Sequence, residues 1–188
     1  MLRDGIVGAV TVGGILGVRA VASAGAAGSS LSQEEAKILN FLLELERLQA
    51  TFFERAAQNA RFSAEPRQFA RVAARQDKAH VDALRSLLGS SAQATTSQLK
   101  ADPKDDAQFI RDALDLKEAA VAAYIGEGPN LEPARVSSVA GIVSVEARHA
   151  AWIRSIHDVI PAPRAADRSQ TPAAVVKALE GGGIASVH

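Results

Sequence analysis

Four long stretches of the chain carry apolar side chains at the 3.6-residue period of an α-helix, whereas no segment alternates with period two for long enough to form a strand. The first stretch starts at Ser32 and Glu35, which stand at capping-box spacing, and ends at the break from Asn59 to Ser63. Proline and glycine bound the other three, which run from Pro66 to Gly89, from Asp102-Pro103 to Gly126, and from Pro133 to the residues before Pro161.

These segments predict an all-α fold, a four-helix bundle. Four helices of roughly 22 to 28 residues joined by loops favour antiparallel packing. The longer link between the second and third helices, which ends near Lys100, could instead form a crossover along the bundle. We predict a bundle over residues 31–162, followed by a C-terminal extension over residues 163–188 that contains a short helix from Pro172 to Glu180. The extension either packs on the bundle or remains flexible.

The composition restricts the chemistry of any functional site. The 188 residues are 47% hydrophobic, which is enough to bury a core. Basic and acidic residues balance at 21 each, so we expect neither a nucleic-acid partner nor strong membrane binding by the bundle. Since the sequence has no cysteine, thiol catalysis, thiolate metal sites and disulfides are excluded. A metal ion would therefore have to be held by oxygen and nitrogen ligands.

Residues 1–30 differ from the rest of the chain. The stretch from Gly5 to Val18 is apolar and glycine-rich, Arg3 precedes it, and the small residues Ala22-Ser23-Ala24 follow it. This order is typical of a secretory signal with an A-x-A cleavage site. We therefore expect export to the periplasm, the cell envelope or the medium, with the mature domain beginning near Ala27. An uncleaved anchor, or the flexible arm of a cytoplasmic protein, is the alternative.

Each of the four predicted helices carries a carboxylate within its apolar stripe. On the first helix, Glu46 has Leu42 and Ala50 one turn away on either side, whereas Glu44 fits an ordinary solvated position. Burial of an isolated carboxylate costs many kcal/mol unless a cation compensates it, and no Lys or Arg stands obviously on the apolar faces. The four inward acids are predicted to be Glu46, Asp77, Glu118 and Glu146.

Two of these acids have a histidine three residues later, in Asp77-x-x-His80 and Glu146-x-x-His149. Side chains at this spacing project side by side from a helix. Any one inward acid is more often part of an ion pair than a ligand, but four on successive helices with two such histidines indicate a shared metal site. Carboxylates can bridge two divalent cations while each imidazole donates one nitrogen. The predicted ligands of the two ions are Glu46, Asp77, His80, Glu118, Glu146 and His149.

The motifs that carry these residues resemble a known family. The segment NFLLELERLQATFF at residues 40–53, the Asp-x-x-His-Val of the second helix, Glu118 followed by Ala123-Tyr124 on the third, and the Glu-x-x-His of the fourth are similar to the ferritin-like domain of desiccation-related and many uncharacterised bacterial proteins. The resemblance extends over roughly residues 33 to 160. It implies the ferritin-like fold and a carboxylate-bridged di-iron or di-manganese site, with the six residues as ligands and Asp77 and Glu146 as bridges.

The sequence departs from this family pattern in two places. Asp77 replaces the usual Glu and reaches less far, while Gln49 and Thr51 stand where relatives often carry further acids. Tyr124 fits either a core residue with a bonded hydroxyl or a redox-active neighbour of the site.

Three classes of function remain open. The first is a di-metal oxidoreductase that holds two iron ions, or two manganese ions, and handles dioxygen or peroxide, for example as a ferroxidase. The second is a non-catalytic envelope or stress-protection protein in which the bundle binds metal structurally or not at all. The third is a carrier with an apolar interior cavity and no metal. Each is compatible with a homo-oligomer.

Overall fold

The structure is a computed structural model that describes residues 30–187. The predicted export signal precedes these residues and stays a prediction. Within them the chain forms five helices and one pair of two-residue strands. The elements in chain order are α1 (Gln33–Ala57), α2 (Ala64–Leu88), β1 (Gln98–Leu99), α3 (Asp106–Glu127), α4 (Pro133–Ile156), α5 (Pro172–Gly181) and β2 (Ala185–Ser186).

The ends of the helices follow the local signals in the sequence. The capping box of α1 is confirmed, because Ser32 Oγ accepts a hydrogen bond from the Glu35 amide at 3.2 Å and the Glu35 carboxylate accepts one from the Ser32 amide at 3.1 Å. Pro66 lies in the first turn of α2, which ends at Gly89 with a φ of 54°. This left-handed conformation favours glycine. The predicted start of α4 at Pro133 is also confirmed.

The predicted start of α3 at Asp102-Pro103 is wrong. The helix begins at Asp106, and the side chain of Asp105 accepts a hydrogen bond from the Gln108 amide at 2.8 Å. The residues just before it are held elsewhere, since the amides of Lys100 and Ala101 both donate to the Ile184 carbonyl at 2.9 Å. Asp105 therefore caps the helix in place of Asp102.

The link between α2 and α3 runs the length of α1 as a crossover. It begins beside the N-terminal half of α1, where Asn40 Nδ2 donates to the Ser91 carbonyl at 2.9 Å. It ends beside the α1–α2 turn, where the Ser63 amide donates to Asp106 Oδ1 at 3.0 Å. As a result, α3 starts at the same end of the bundle as α2 and runs antiparallel to α1. The crossover, rather than the simple antiparallel connection, is the observed topology.

Glu44 fixes this crossover to α1, so its assignment to a solvated face is wrong. One oxygen of the buried carboxylate accepts hydrogen bonds from the amides of Thr96 at 3.1 Å and Ser97 at 2.8 Å and from the hydroxyl of Thr95. The other oxygen pairs with Arg47 at 3.2 Å. These hydrogen bonds lower the pKa of Glu44 although burial alone would raise it. The carboxylate remains ionised and holds the link in place.

The C-terminal extension packs on the bundle. Val175, Leu179 and Ile184 are buried in the common core, and β2 pairs antiparallel with β1 of the crossover. The Gln170 amide donates to the Ala122 carbonyl of α3 at 3.0 Å. A Cβ at Gly126 would overlap the Gln170 carbonyl, which explains why α3 carries a glycine one residue before its end. Strands of two residues are too short to leave a periodic pattern in the sequence.

Within residues 30–187, none of the helices combines the length and the hydrophobicity that a bilayer crossing requires.

Replacement of Glu44 by Ala should lower the free energy of unfolding by about 2 kcal/mol, because two backbone amides of the crossover and a hydroxyl lose their acceptor. Urea denaturation followed by circular dichroism measures this change. Glu54→Ala is the matched control on the same helix, since Glu54 is exposed, and it should change stability by less than about 0.5 kcal/mol. Equal effects of the two substitutions would contradict the role of Glu44.

Candidate metal centre

Three carboxylates and a histidine converge in the middle of the bundle. Glu46 comes from α1, Asp77 and His80 from α2, and Glu146 from α4. The three acids are completely buried, and one ligand atom of each of the four residues lies within 4.8 Å of the others. Because the acids occupy the apolar stripes of their helices, packing of the stripes brings the carboxylates together. These four residues are called the cluster below.

His80 lies between two of the carboxylates. Its Nδ1 is 3.3 Å from Glu46 Oε2, 3.3 Å from Glu146 Oε1 and 3.9 Å from Asp77 Oδ1. Burial disfavours the imidazolium, but hydrogen bonds to Glu146 and Glu46 outweigh it and raise the pKa of His80 to about 9. Without a bound cation, His80 is therefore protonated at neutral pH and compensates part of the negative charge.

Lys117 supplies a second positive charge from α3. Its side chain is fully buried, and its Nζ lies 2.7 and 2.9 Å from the two oxygens of Asp77 and 3.2 and 2.9 Å from those of Glu146. The same nitrogen is 4.8 Å from the centre of the Phe53 ring. The ammonium group thus bridges the two carboxylates. The sequence-based statement that no basic residue stands on the apolar faces is wrong for Lys117.

The charges of this group are mutually stabilised. Burial works against the ammonium, yet the attraction of Asp77 and then of Glu146 raises the pKa of Lys117. Burial likewise works against the Glu146 carboxylate, but the attraction of Lys117 and a hydrogen bond from His80 hold its pKa well below the usual range. For Glu46, burial and the proximity of Glu146 raise the pKa.

His149 faces the same carboxylates from α4 as a neutral imidazole. Its Nε2 lies 2.6 Å from the Gln76 amide oxygen, which can only accept a hydrogen bond, so this nitrogen carries the proton. The other nitrogen, Nδ1, is 3.5 Å from Glu146 Oε1 and 3.9 Å from Asp77 Oδ1. Burial lowers the pKa of His149. A lone pair therefore points toward Asp77 and Glu146.

Two further polar side chains border the cluster. Tyr124 is buried, and its hydroxyl donates to Glu46 Oε1 at 2.8 Å, in agreement with the predicted core residue with a bonded hydroxyl. Burial, reinforced by Glu46, raises the pKa of Tyr124 well above its usual range, so the phenol stays protonated. Gln49 lies one turn from Glu46 on α1, and its buried amide has no hydrogen-bond partner among the described residues.

The prediction that Glu118 points into the core is wrong. Its side chain is 38% exposed and pairs with Arg154 of α4, while Arg164 lies 3.9 Å away. Five of the six predicted ligands therefore meet in the core, and α3 contributes Lys117 there in place of the acid.

The sequence contained a signal for Lys117. Glu118 has charged neighbours on its own stripe, Arg111 at −7 and Asp115 at −3. The corresponding positions around Lys117 are apolar or aromatic without exception. They are Ile110, Ala113, Leu114, Ala120, Val121 and Tyr124.

Comparison with known proteins identifies the family. The model of a family described as Ferritin-like domain matches residues 34–158, which is α1 to just beyond α4. The chain belongs to this ferritin-like family. No curated protein matches the chain.

The residues of the ferritin-like core fit one metal ion. Glu46, Asp77, His80 and Glu146 offer hard oxygen donors and an imidazole with ligand atoms within 4.8 Å of one another. The predicted second ion does not fit. The position between Asp77 and Glu146 that it would bridge is taken by the Lys117 ammonium.

A cavity of about 940 Å³ lies elsewhere, outside the bundle between α1, α2 and the crossover. Apolar side chains such as Leu48, Ala74 and Val81 line it together with five basic side chains, which does not match the interior cavity expected of an apolar-ligand carrier. The basic residues are Arg47, Arg55, Arg71, Arg75 and Lys78.

Replacement of Lys117 by Met should lower the free energy of unfolding by about 3 to 5 kcal/mol, because Asp77 and Glu146 would be left buried without their cation. The measurement is urea denaturation in the presence of a chelator. Lys104→Met is the matched control, since Lys104 is exposed and pairs with the exposed Asp102, and it should have an effect below about 0.5 kcal/mol. A stability of Lys117→Met equal to wild type would contradict the assigned charge pairing.

The stability of the metal-free protein should also depend on the protonation of His80. Its pKa is raised from 6.5 to about 9, so the contribution is fully present below pH 6.5 and is lost as pH rises to 9. The difference in free energy of unfolding between wild type and His80→Gln should shrink by about 3 kcal/mol over this range. Denaturation of chelator-treated protein at successive pH values measures it. A constant difference would argue against a protonated His80.

Proposed function

We propose that this ferritin-like protein binds a divalent transition metal ion, iron or manganese, at Glu46, Asp77, His80 and Glu146, and acts on dioxygen or peroxide. The observation that carries the proposal is the convergence of these four buried ligands within 4.8 Å. Three carboxylate groups and one imidazole are donors typical of iron and manganese sites. Electron exchange with dioxygen or peroxide is the chemistry that such an ion supplies when bound.

The surrounding residues would hold the ligands in position. The Tyr124 hydroxyl fixes one oxygen of Glu46, which leaves the other oxygen facing His80. Lys117 orients Asp77 and Glu146 through both oxygens of each group. Such outer contacts restrict the rotamers of metal ligands and tune their basicity. The His80 side chain is 10% exposed. Through this small opening a metal ion would reach His80, displace the proton on Nδ1 and bind to that nitrogen.

A second candidate function is a stress-protection protein that needs no metal. The observation in its favour is that Lys117 and a protonated His80 already compensate much of the negative charge of the carboxylates. In that case the bundle would act through its surface or its assembly, and the cluster would serve stability alone.

The test is metal binding by chelator-treated protein that is then incubated with Fe²⁺ under anaerobic conditions or with Mn²⁺. Elemental analysis after gel filtration should find bound metal in the wild type, and Glu46→Gln and His80→Gln should weaken binding at least about tenfold because each removes a donor. Oxygen and peroxide consumption by the loaded protein then tests the reaction class.

The matched controls are Glu54→Gln and His157→Gln, which change the same residue types at exposed positions and should bind metal like the wild type. A folded wild type that retains no metal, with unchanged circular dichroism, would reject the metal proposal and favour the second candidate.

A further inference from the structure

We infer that the Lys117 ammonium permanently takes the place of the second metal ion, so that the ferritin-like core of this protein holds a single exchangeable ion. The binding of one ion rests on the proposed function. The exclusion of a second ion rests on the contacts, burial and charge of Lys117.

The ammonium group contacts every atom that a second ion would use as a bridge. Asp77 and Glu146 each direct both oxygens at Lys117 Nζ, at 2.7 to 3.2 Å. A divalent iron or manganese ion approaches carboxylate oxygens to roughly 2.0–2.2 Å. Nitrogen and metal therefore cannot share this position. The Lys117 side chain is completely buried, so the ammonium group has no direct path to solvent by which it could vacate this position.

The formal charges agree with one ion and disagree with two. When Glu46, Asp77 and Glu146 are ionised and both histidines are neutral, the acids carry three negative charges, while Lys117 and one divalent ion carry three positive charges. One ion thus leaves the core without net charge. A second divalent ion would leave two uncompensated positive charges in a buried region, which is strongly unfavourable.

His149 marks the half of the site that Lys117 occupies. Its Nδ1 faces Asp77 and Glu146, the same two carboxylates that the ammonium bridges, and Gln76 holds the imidazole in the tautomer of a ligand. The histidine is therefore oriented as a ligand beside a position that already holds a cation.

The test is the number of ions bound at saturation. Chelator-treated protein is titrated with Mn²⁺ by calorimetry, and the product is analysed for metal after gel filtration. We expect one ion per chain for the wild type and two for Lys117→Glu, which replaces the cation by a fourth carboxylate from α3. The matched control Lys104→Glu makes the same change at an exposed position and should bind one ion.

The outcomes separate the inference from the proposed function. Two ions in the wild type, or one ion in folded Lys117→Glu, would overturn the inference and leave the proposed function standing. If Lys117→Glu does not fold even when refolded with Mn²⁺, Lys117→Gln takes its place, because it removes the charge without adding another. A second ion in that variant supports the inference, and a single ion overturns it.

A wild type that binds no ion would reject the proposed function. The statement that the core holds one ion would fail with it, whereas the exclusion of a cation by Lys117 would fail only if Lys117→Glu also bound none. Metal binding by Lys117→Glu alone would show that Lys117 excludes a cation from this position.

Discussion

The buried contact of Lys117 with Asp77 and Glu146 is the interaction on which the rest of the core depends. Three acids from three helices could not be packed against one another without positive charge, because the cost of their burial exceeds what the apolar side chains around them contribute. Lys117 provides this charge from α3, the remaining helix of the bundle. The bundle is therefore able to close before any metal is bound.

The surroundings of the cluster reinforce this arrangement from several sides. Phe53 lies against the ammonium group, and Phe69 packs edge-on against the His149 ring with centroids 5.8 Å apart. These aromatic rings exclude water and strengthen each electrostatic contact within the cluster. Further out, Glu44 and the β1–β2 pair hold the crossover and the C-terminal extension against the helices. The cluster is thus enclosed first by aromatic side chains and then by the crossover and the C-terminal extension.

The sequence predicted the parts of this structure that local interactions determine. The capping box at Ser32, the glycine end of α2 at Gly89 and the start of α4 at Pro133 depend on residues within a turn of each other. Glu46, Asp77 and Glu146 could be placed inward because their stripes are strongly apolar. On α3, Ala119, Ala120, Ala122 and Ala123 make several faces of the C-terminal half apolar. Only the charged Arg111 and Asp115, on the stripe of Glu118, distinguish the outward face from the inward face. The role of Glu44 depends on a crossover 50 residues away in sequence, which no local pattern reports.

The adjacency of Lys117 and Glu118 gives α3 a single electrostatically permitted register. A slide of one residue would rotate the helix by about 100° and exchange a cation for an anion at the centre of the bundle. The core would then hold four acids, because Glu118 would take the place of Lys117. Arg154 would lose Glu118 as its partner. The same slide would also move Phe109 and Tyr124 of α3 out of their buried positions. In this protein, charge and the packing of large side chains therefore select the same alignment of α3.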